Sequence, residues 1–267
     1  MNRLDGLTVL VTRSDEAGAM LCQKIEAEGG GALHYPTLAF APPPSMAAYQ
    51  AAMAQLHQQA WLIFISPQAV TATLPELLER WPHLASRVKV ACVGGATARA
   101  LQAVGIEQVL CPDREWSSEG LLNMEVFQWV QGVNIAIIRG EGGREKIDRI
   151  LNDRGANVLP VIAYQRVIPN LPPEKQAQVM ASMAEKNIDI VIATSFSSVE
   201  NLKKMVDQAV WPILQTTPIC VMSERVQSLA QEAGFQNVWV NPSVSDEAII
   251  SLLVRERNRL CQMKQQR

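Results

Sequence analysis

The chain has 267 residues, 48% of them hydrophobic and 19% charged, with 24 basic against 26 acidic side chains and a formal net charge of −2. At roughly 100–200 residues per domain, this length predicts two domains or one large one, and the apolar content excludes a disordered chain. The near-zero net charge excludes a general nucleic-acid binder, which carries a basic excess, and no apolar run reaches the roughly 18–20 residues that span a bilayer.

The opening Met1-Asn2-Arg3-Leu4-Asp5-Gly6 leads into a strand-like segment with no apolar leader and cleavage site, so a cytoplasmic protein is expected. Leu7-Thr8-Val9-Leu10-Val11 is a continuous apolar run, the pattern of a strand buried on both faces. The next stretch places Leu21 and Ile25 at i, i+4, with Asp15 and Glu16 before them and Gly29, Gly30 and Gly31 after, which are helix start and stop signals. The same grammar recurs in the runs at 61–65, 88–93, 134–138, 188–193 and 218–222, each followed by Gly, Ser or Thr and then a helical pattern. Buried strands alternating with helices mean crossover connections and parallel sheets, so the fold class is α/β.

The five cysteines (Cys22, Cys92, Cys111, Cys220 and Cys261) are odd in number and include no CxxC pair, which excludes a disulfide framework and a zinc ribbon. His34, His57 and His83 have no ligand spacing, so no metal site is expected.

Four segment pairs resemble each other in the same order. Val9-Leu10-Val11-Thr12-Arg13 matches Ile135-Ala136-Ile137-Ile138-Arg139 at a separation of 126 residues, and Tyr35-Pro36-Thr37-Leu38-Ala39-Phe40 matches Leu159-Pro160-Val161-Ile162-Ala163-Tyr164 at 124. Residues 64–70 match 193–199, and residues 100–105 match 229–234, both at 129. Two related half-chains are expected, too few and too long for a solenoid. Proline-rich segments stand in equivalent places of both halves, Phe40-Ala41-Pro42-Pro43-Pro44-Ser45 and Ile168-Pro169-Asn170-Leu171-Pro172-Pro173. Read as crossings, they predict two lobes related by internal duplication and joined by a two-segment extended linker. One is a discontinuous lobe of residues 1–38 and 170–267, the other spans 43–163, and the linkers lie at about 38–43 and 163–170. A cleft between the lobes is the expected place for a ligand.

In parallel sheets ligands bind beyond the carboxyl ends of the strands, so the strand-to-helix turns carry the functional signal. They are Thr12-Arg13-Ser14, Ser66-Pro67-Gln68, Gly94-Gly95-Ala96-Thr97, Arg139-Gly140-Glu141-Gly142-Gly143-Arg144, Ser195-Phe196-Ser197-Ser198 and Ser223-Glu224-Arg225. Their small and hydroxyl residues leave amide groups accessible at helix N-termini, which suits a ligand with several carboxylates or phosphates. The same residues also serve as ordinary N-caps. The Arg139–Arg144 stretch lacks the Lys-Ser/Thr ending of a P-loop and the spacing of GxGxxG, which disfavours a nucleotide-dependent transferase. Arg13 and Arg139 occupy the same repeat position and are shaped to bind carboxylate; the alternative is a surface arginine beside an acidic residue. No Ser-His-Asp order and no GxSxG motif appears. Tyr164 stands where the first repeat has Phe40, which adds one hydroxyl able to donate a hydrogen bond or protonate a leaving group. The basic tail (Arg255, Arg257, Arg259, Lys264, Arg267) reads as a solvated helix end.

These residues resemble the uroporphyrinogen-III synthase family over nearly the whole chain. The resemblance rests on Val11-Thr12-Arg13, on Phe64-Ile65-Ser66-Pro67-Gln68-Ala69-Val70 and on the stretch from Val93-Gly94-Gly95-Ala96-Thr97 to Leu101. It continues through Arg139-Gly140-Glu141-Gly142-Gly143-Arg144 with Gly155-Ala156, Tyr164-Gln165-Arg166 and Thr194-Ser195-Phe196-Ser197-Ser198-Val199. Ser14 stands where a proline is common, Ile65 where a threonine is common, and residues 222–226 replace a second glycine- and threonine-bearing turn.

The resemblance implies two α/β lobes on a two-stranded linker and closure of the linear tetrapyrrole hydroxymethylbilane to uroporphyrinogen III, with loss of water and inversion of ring D. It implies no metal or organic cofactor, passage through an azafulvene cation and a spiro intermediate, and a site that acts mainly as a mould. Tyr164, at the family's linker tyrosine, is the expected catalytic residue. Thr12, Arg13, Ser66, Thr97, Arg139, Gly140, Ser195 and Ser197 are the expected substrate ligands. The partners expected are the tetrapyrrole and a transient contact with the bilane-producing enzyme, with no nucleic acid or membrane, and the protein is expected to be a monomer. The alternative from the residues is a non-catalytic bilobal module that binds an anionic metabolite.

Overall fold

The computed structural model describes residues 2–113, 115–142 and 145–265. Its strands are β1 (Thr8–Val11), β2 (Gly31–His34), β3 (Ala39–Ala41), β4 (Trp61–Phe64), β5 (Lys89–Cys92), β6 (Val109–Leu110), β7 (Asn134–Gly140), β8 (Asn157–Val167), β9 (Ile190–Ala193), β10 (Ile219–Val221) and β11 (Val238–Val240). Its helices are α1 (Asp15–Ala27), α2 (Met46–Met53), α3 (Pro67–Arg80), α4 (Gly95–Ala103), α5 (Ser118–Asn123), α6 (Lys146–Asp153), α7 (Pro173–Ala184), α8 (Phe196–Met205), α9 (Trp211–Gln215), α10 (Glu224–Glu232) and α11 (Asp246–Gln265). All six apolar runs form strands. β7 runs on through Arg139 and Gly140, which therefore belong to the sheet and not to the turn after it.

The chain divides into two units, Met1–Ala39 with Val167–Arg267, and Phe40–Arg166. The first carries a five-stranded sheet in the order β11-β10-β9-β1-β2, with every neighbouring pair parallel. Its strands are buried on both faces because alternate side chains enter different cores. Val9, Val11, Ile190 and Ile192 pack with Leu21 and Ile25 of α1 and with Ile249 and Leu253 of α11. Leu10, Val191 and Ala193 face the other way, into Val179 and Met183 of α7, Val199 and Leu202 of α8 and Val226 of α10. This two-sided burial is what turns each strand into an unbroken apolar run. α1 ends where Gly29 takes φ +84°, a left-handed conformation that L side chains rarely adopt, so the chain turns back into β2.

The second unit carries a six-stranded sheet in the order β3-β8-β7-β4-β5-β6, in which β8, β7, β4, β5 and β6 pair in parallel. Leu62, Phe64, Val90, Cys92, Ala136 and Ile138 enter a core with α2, α3 and α4. Trp61, Ile63, Ala91, Ile135 and Ile137 enter the opposite one with α5 and α6. Eleven-residue β8 tolerates Pro160 because three-residue β3 covers only part of its outer edge. The Gln165 amide donates to the Pro42 carbonyl at 3.0 Å.

All five cysteines are free thiols. Burial pushes the Cys92 and Cys220 thiols up to about 12, which makes them inert packing groups.

Candidate active site

In the second unit the chain leaves β4 and turns into α3 through Ser66. That residue is extended (φ −154°, ψ 159°), and its Oγ accepts the Ala69 N–H at 3.1 Å, an N-cap bond that Pro67 at the first helical position reinforces. Tyr164 on β8 is 3% exposed, and its Oη lies 3.0 Å from Ser66 Oγ. Arg166 Nη2 donates to the same Oη at 3.3 Å, and its guanidinium carbon stands 5.6 Å from the tyrosine ring centroid. Phe40 meets that ring edge-on, with centroids 5.3 Å apart and an interplanar angle of 88°. The two residues that the repeat places in register, Phe40 and Tyr164, are thus in contact.

Gly140 pairs with Tyr164 just after a register shift in the β7–β8 ladder. A Cβ on Gly140 would lie 2.6 Å from both Cε2 and Cζ of Tyr164, so the bare backbone here is what gives the ring its place. On the opposite face of β7, Arg139 is 7% exposed. Its Nη2 lies 3.1 Å from Asp148 Oδ2 of α6 and 3.6 Å from Glu145 Oε1. Glu141 and Gly142 follow on the surface, while Gly143 and Arg144 of the same expected loop, like Arg267 of the tail, lie outside the described residues. The β5–α4 turn at Gly94 and Gly95 lies under an indole. Trp116 is 67% exposed, and its Cζ2 would be 3.4 Å from a Cβ on Gly95.

The first unit repeats the hydroxyl-at-helix-start theme. Ser195 Oγ accepts the Ser198 N–H at 3.1 Å and lies 2.8 Å from Ser198 Oγ, at the head of α8. Ser197, one residue into α8, is half-buried, and Ser223 caps α10 through the Val226 N–H at 3.4 Å. Arg13 Nη1 lies 2.5 Å from Asp246 Oδ1 at the start of α11, where Lys24 Nζ also approaches Asp246 Oδ2 at 2.9 Å. Burial alone would raise the Asp246 carboxyl; hydrogen bonds from Lys24 and Arg13, with their charges, outweigh it and hold the group below the usual carboxylate value.

Two of the expected ligands, Thr12 and Thr97, are buried. Thr12 is fully buried, its hydroxyl donates to the Ile192 carbonyl at 2.8 Å, and its amide bonds the same carbonyl at 3.1 Å, so it ties β1 to β9. Thr97 is 4% exposed and its amide is taken by the Gly94 carbonyl at 3.0 Å inside the first turn of α4. Both threonines fall on the inward phase of their elements and present no side-chain donor to solvent. Arg166, on the Tyr164 hydroxyl, and Trp116, over the Gly94–Gly95 turn, are neighbours of the expected site residues that the sequence reading did not name among them. An exposed charge two residues past a strand tyrosine and a lone Trp in a polar loop are weak sequence signals.

Among the described residues no three His, Cys, Asp or Glu side chains gather as metal ligands. The fold and these turns define an α/β protein with two parallel sheets whose hydroxyl, amide and guanidinium donors cluster where strands pass into helices. The family model described as "Uroporphyrinogen-III synthase HemD" matches residues 20–251, and the chain belongs to that family. The uroporphyrinogen-III synthase of Escherichia coli K12 is 29% identical over 253 residues, covering 92% of this chain and all of that one. That of Synechococcus elongatus is 30% identical over 203 residues, 74% of each chain. In fold, the chain is similar to a uroporphyrinogen III synthase variant from the extremely thermophilic bacterium Thermus thermophilus (TM-score 0.62, 17% identity, 96% of this chain and 99% of that one). It is also similar to the uroporphyrinogen-III synthetase of Helicobacter pylori 26695 (TM-score 0.60, 16% identity, 93% and 99%).

Proposed function

We propose that this chain is a uroporphyrinogen-III synthase, an enzyme that closes hydroxymethylbilane to uroporphyrinogen III with loss of water and inversion of ring D. The observation that carries this reading is the family match across residues 20–251. The chemistry agrees with the residues. The bilane carries eight carboxylates, yet the protein has a net charge of −2, so long-range attraction cannot gather the substrate. The local donors proposed for that work are the helix N-termini at Ser66 and Ser195, with Ser197 beside the latter, and the guanidinium groups of Arg13 and Arg139. Gly140 admits the Tyr164 ring, and the Tyr164 hydroxyl assists departure of the substrate hydroxyl. Closure expels water and leaves the oxidation level of the substrate unchanged, so no redox cofactor is required.

We further read the protein as a cytoplasmic monomer that meets the bilane-producing enzyme transiently. The free thiols support the cytoplasmic part of this reading. Among the described residues no helix is long and apolar enough to cross a membrane.

The test supplies freshly prepared hydroxymethylbilane to the purified protein and resolves the oxidised porphyrins by isomer. Dominant type III product is expected. Type I alone, the product of spontaneous closure, would leave a binding module instead of an enzyme.

A further inference from the structure

We infer that Ser66, and not the buried Tyr164, is the group that hands a proton to the departing hydroxyl, with Tyr164 and Arg166 acting through it. The inference rests on the function proposed above and follows from counting donors and acceptors. A guanidinium has donors only, so the Arg166 contact at 3.3 Å fills a lone pair of Tyr164 Oη. The relay assigns the Tyr164 proton to Ser66 Oγ at 3.0 Å, the acceptor beside a tyrosine that is 3% exposed. Ser66 Oγ already accepts the Ala69 N–H at 3.1 Å. With the Tyr164 hydroxyl as second donor both of its lone pairs are filled, so the serine's own proton is directed away from the protein network. Ser66 is half-buried and stands at the carboxyl end of β4, which is where a ligand meets a parallel sheet. The order is Arg166 to Tyr164 to Ser66 to substrate. The matched serine of the first unit, Ser195, has Ser198 Oγ at 2.8 Å in place of a phenol, so only one of the two caps is wired in this way.

The step balances. The carbon–oxygen bond of the substrate hydroxymethyl group breaks with its electron pair on oxygen, which takes the Ser66 proton and leaves as water. Ser66 oxygen takes the Tyr164 proton, and the phenolate formed lies beside the Arg166 cation while the positive charge resides on the substrate. Ring closure later releases one proton from the substrate, which returns through Ser66 to Tyr164. Ser66 is therefore the catalytic residue of the relay, and Tyr164 and Arg166 are positioning residues.

The experiment measures turnover, isomer ratio and solvent deuterium effects for wild type, Ser66→Ala, Ser66→Gly, Ser66→Thr, Tyr164→Phe and the double variant Ser66→Ala with Tyr164→Phe. Ser66→Ala and Ser66→Gly are expected to lose about 10²-fold or more in kcat with KM changed less than threefold, the scale of general acid catalysis. Ser66→Gly separates chemistry from capping, because glycine keeps most of the N-cap preference. Ser66→Thr restores the hydroxyl and is expected within tenfold of wild type. The double variant is expected to be no slower than the slower single one, as for groups that act as a unit. Wild type should give a curved dependence of rate on deuterium fraction, and Ser66→Ala a weaker, linear one, which lost packing alone would not produce. Near-normal kcat in both Ser66→Ala and Ser66→Gly with a slow Tyr164→Phe would overturn the inference and return the acid role to Tyr164. Multiplicative losses in the double variant would also overturn it. Wild type yielding type I product alone would instead bring down the function proposed above, and this relay with it.

Discussion

Gly140 is the position where one atom decides whether the tyrosine network exists. Its α-carbon faces the Tyr164 ring so closely that a methyl group would stand 2.6 Å from Cε2 and Cζ and 3.0 Å from Oη. Strand β7 is held by β4 on one side and β8 on the other, so the ring has to yield before the backbone does. Gly140→Ala is therefore expected to lower stability by about 1–3 kcal/mol, the usual range for overpacking. The same variant should lose about 10²-fold in type III formation, since displacing a reacting group by about 1 Å has that effect. Urea unfolding and the isomer-resolved assay on one preparation check both halves. Full activity in a folded variant would show that the ring position does not matter. Sequence spacing marked Gly140 as a turn glycine and Tyr164 as an asymmetry between repeats. It could not show that the two residues touch, because that contact depends on the register shift between Arg139 and Gly140.

At the scale of elements, the end of β1 is locked to the start of α11 by charge. Asp246 is held by Arg13 at 2.5 Å and Lys24 at 2.9 Å, and its carboxyl side chain is 14% exposed. Because its folded pKa lies below the ordinary carboxylate value of about 3.9, the pairing contributes stability above that pH. The contribution is lost as pH falls through the folded value. Asp246→Asn should thus lower stability by about 1.5–3 kcal/mol at neutral pH, the range for hydrogen bonds to charged groups. The urea midpoints of wild type and variant should converge as acidification protonates the Asp246 carboxylate; a gap that stays constant on acidification would mean the ionised carboxylate is not what holds α11. Elements buried on both faces were legible in the sequence because burial leaves only apolar residues, as in β4 and β9. The edge strands β6, with two residues, and β11, with three half-buried ones, lack such a run, since an edge is covered on fewer sides. The inward turn of Thr12 was hidden for a related reason. At a strand end, period-two alternation fixes the phase of the last residue only once the strand's final hydrogen bond is known, and here that bond goes to Ile192.

On the scale of the whole molecule, the two sheets share one plan. With β3 set aside at the outer edge of the six-stranded sheet, β2-β1-β9-β10-β11 of the first unit corresponds to β8-β7-β4-β5-β6 of the second. Under the repeat read from the sequence, β1 matches β7, β2 matches β8 and β9 matches β4, so the five-stranded sheet combines two strands of the first half-chain with three of the second, and the six-stranded sheet two of the second with four of the first. Each sheet thus exchanges strands between the two half-chains. This exchange has a consequence for folding. A half-chain of residues 1–132 holds β1 and β2 without β9, and β4 to β6 without β7, so it leaves open strand edges and incomplete versions of all four hydrophobic clusters. Residues 40–166, in contrast, contain every buried member of both clusters that flank the six-stranded sheet. A segment of that size lies well above the roughly 40-residue floor below which domains need disulfides or metals to fold. The excised 40–166 segment is accordingly expected to give a single sigmoidal urea transition by circular dichroism, and the 1–132 half-chain none. A cooperative transition in the half-chain would show that strands from one repeat complete a sheet without those of the other, and the exchange would then play no part in folding.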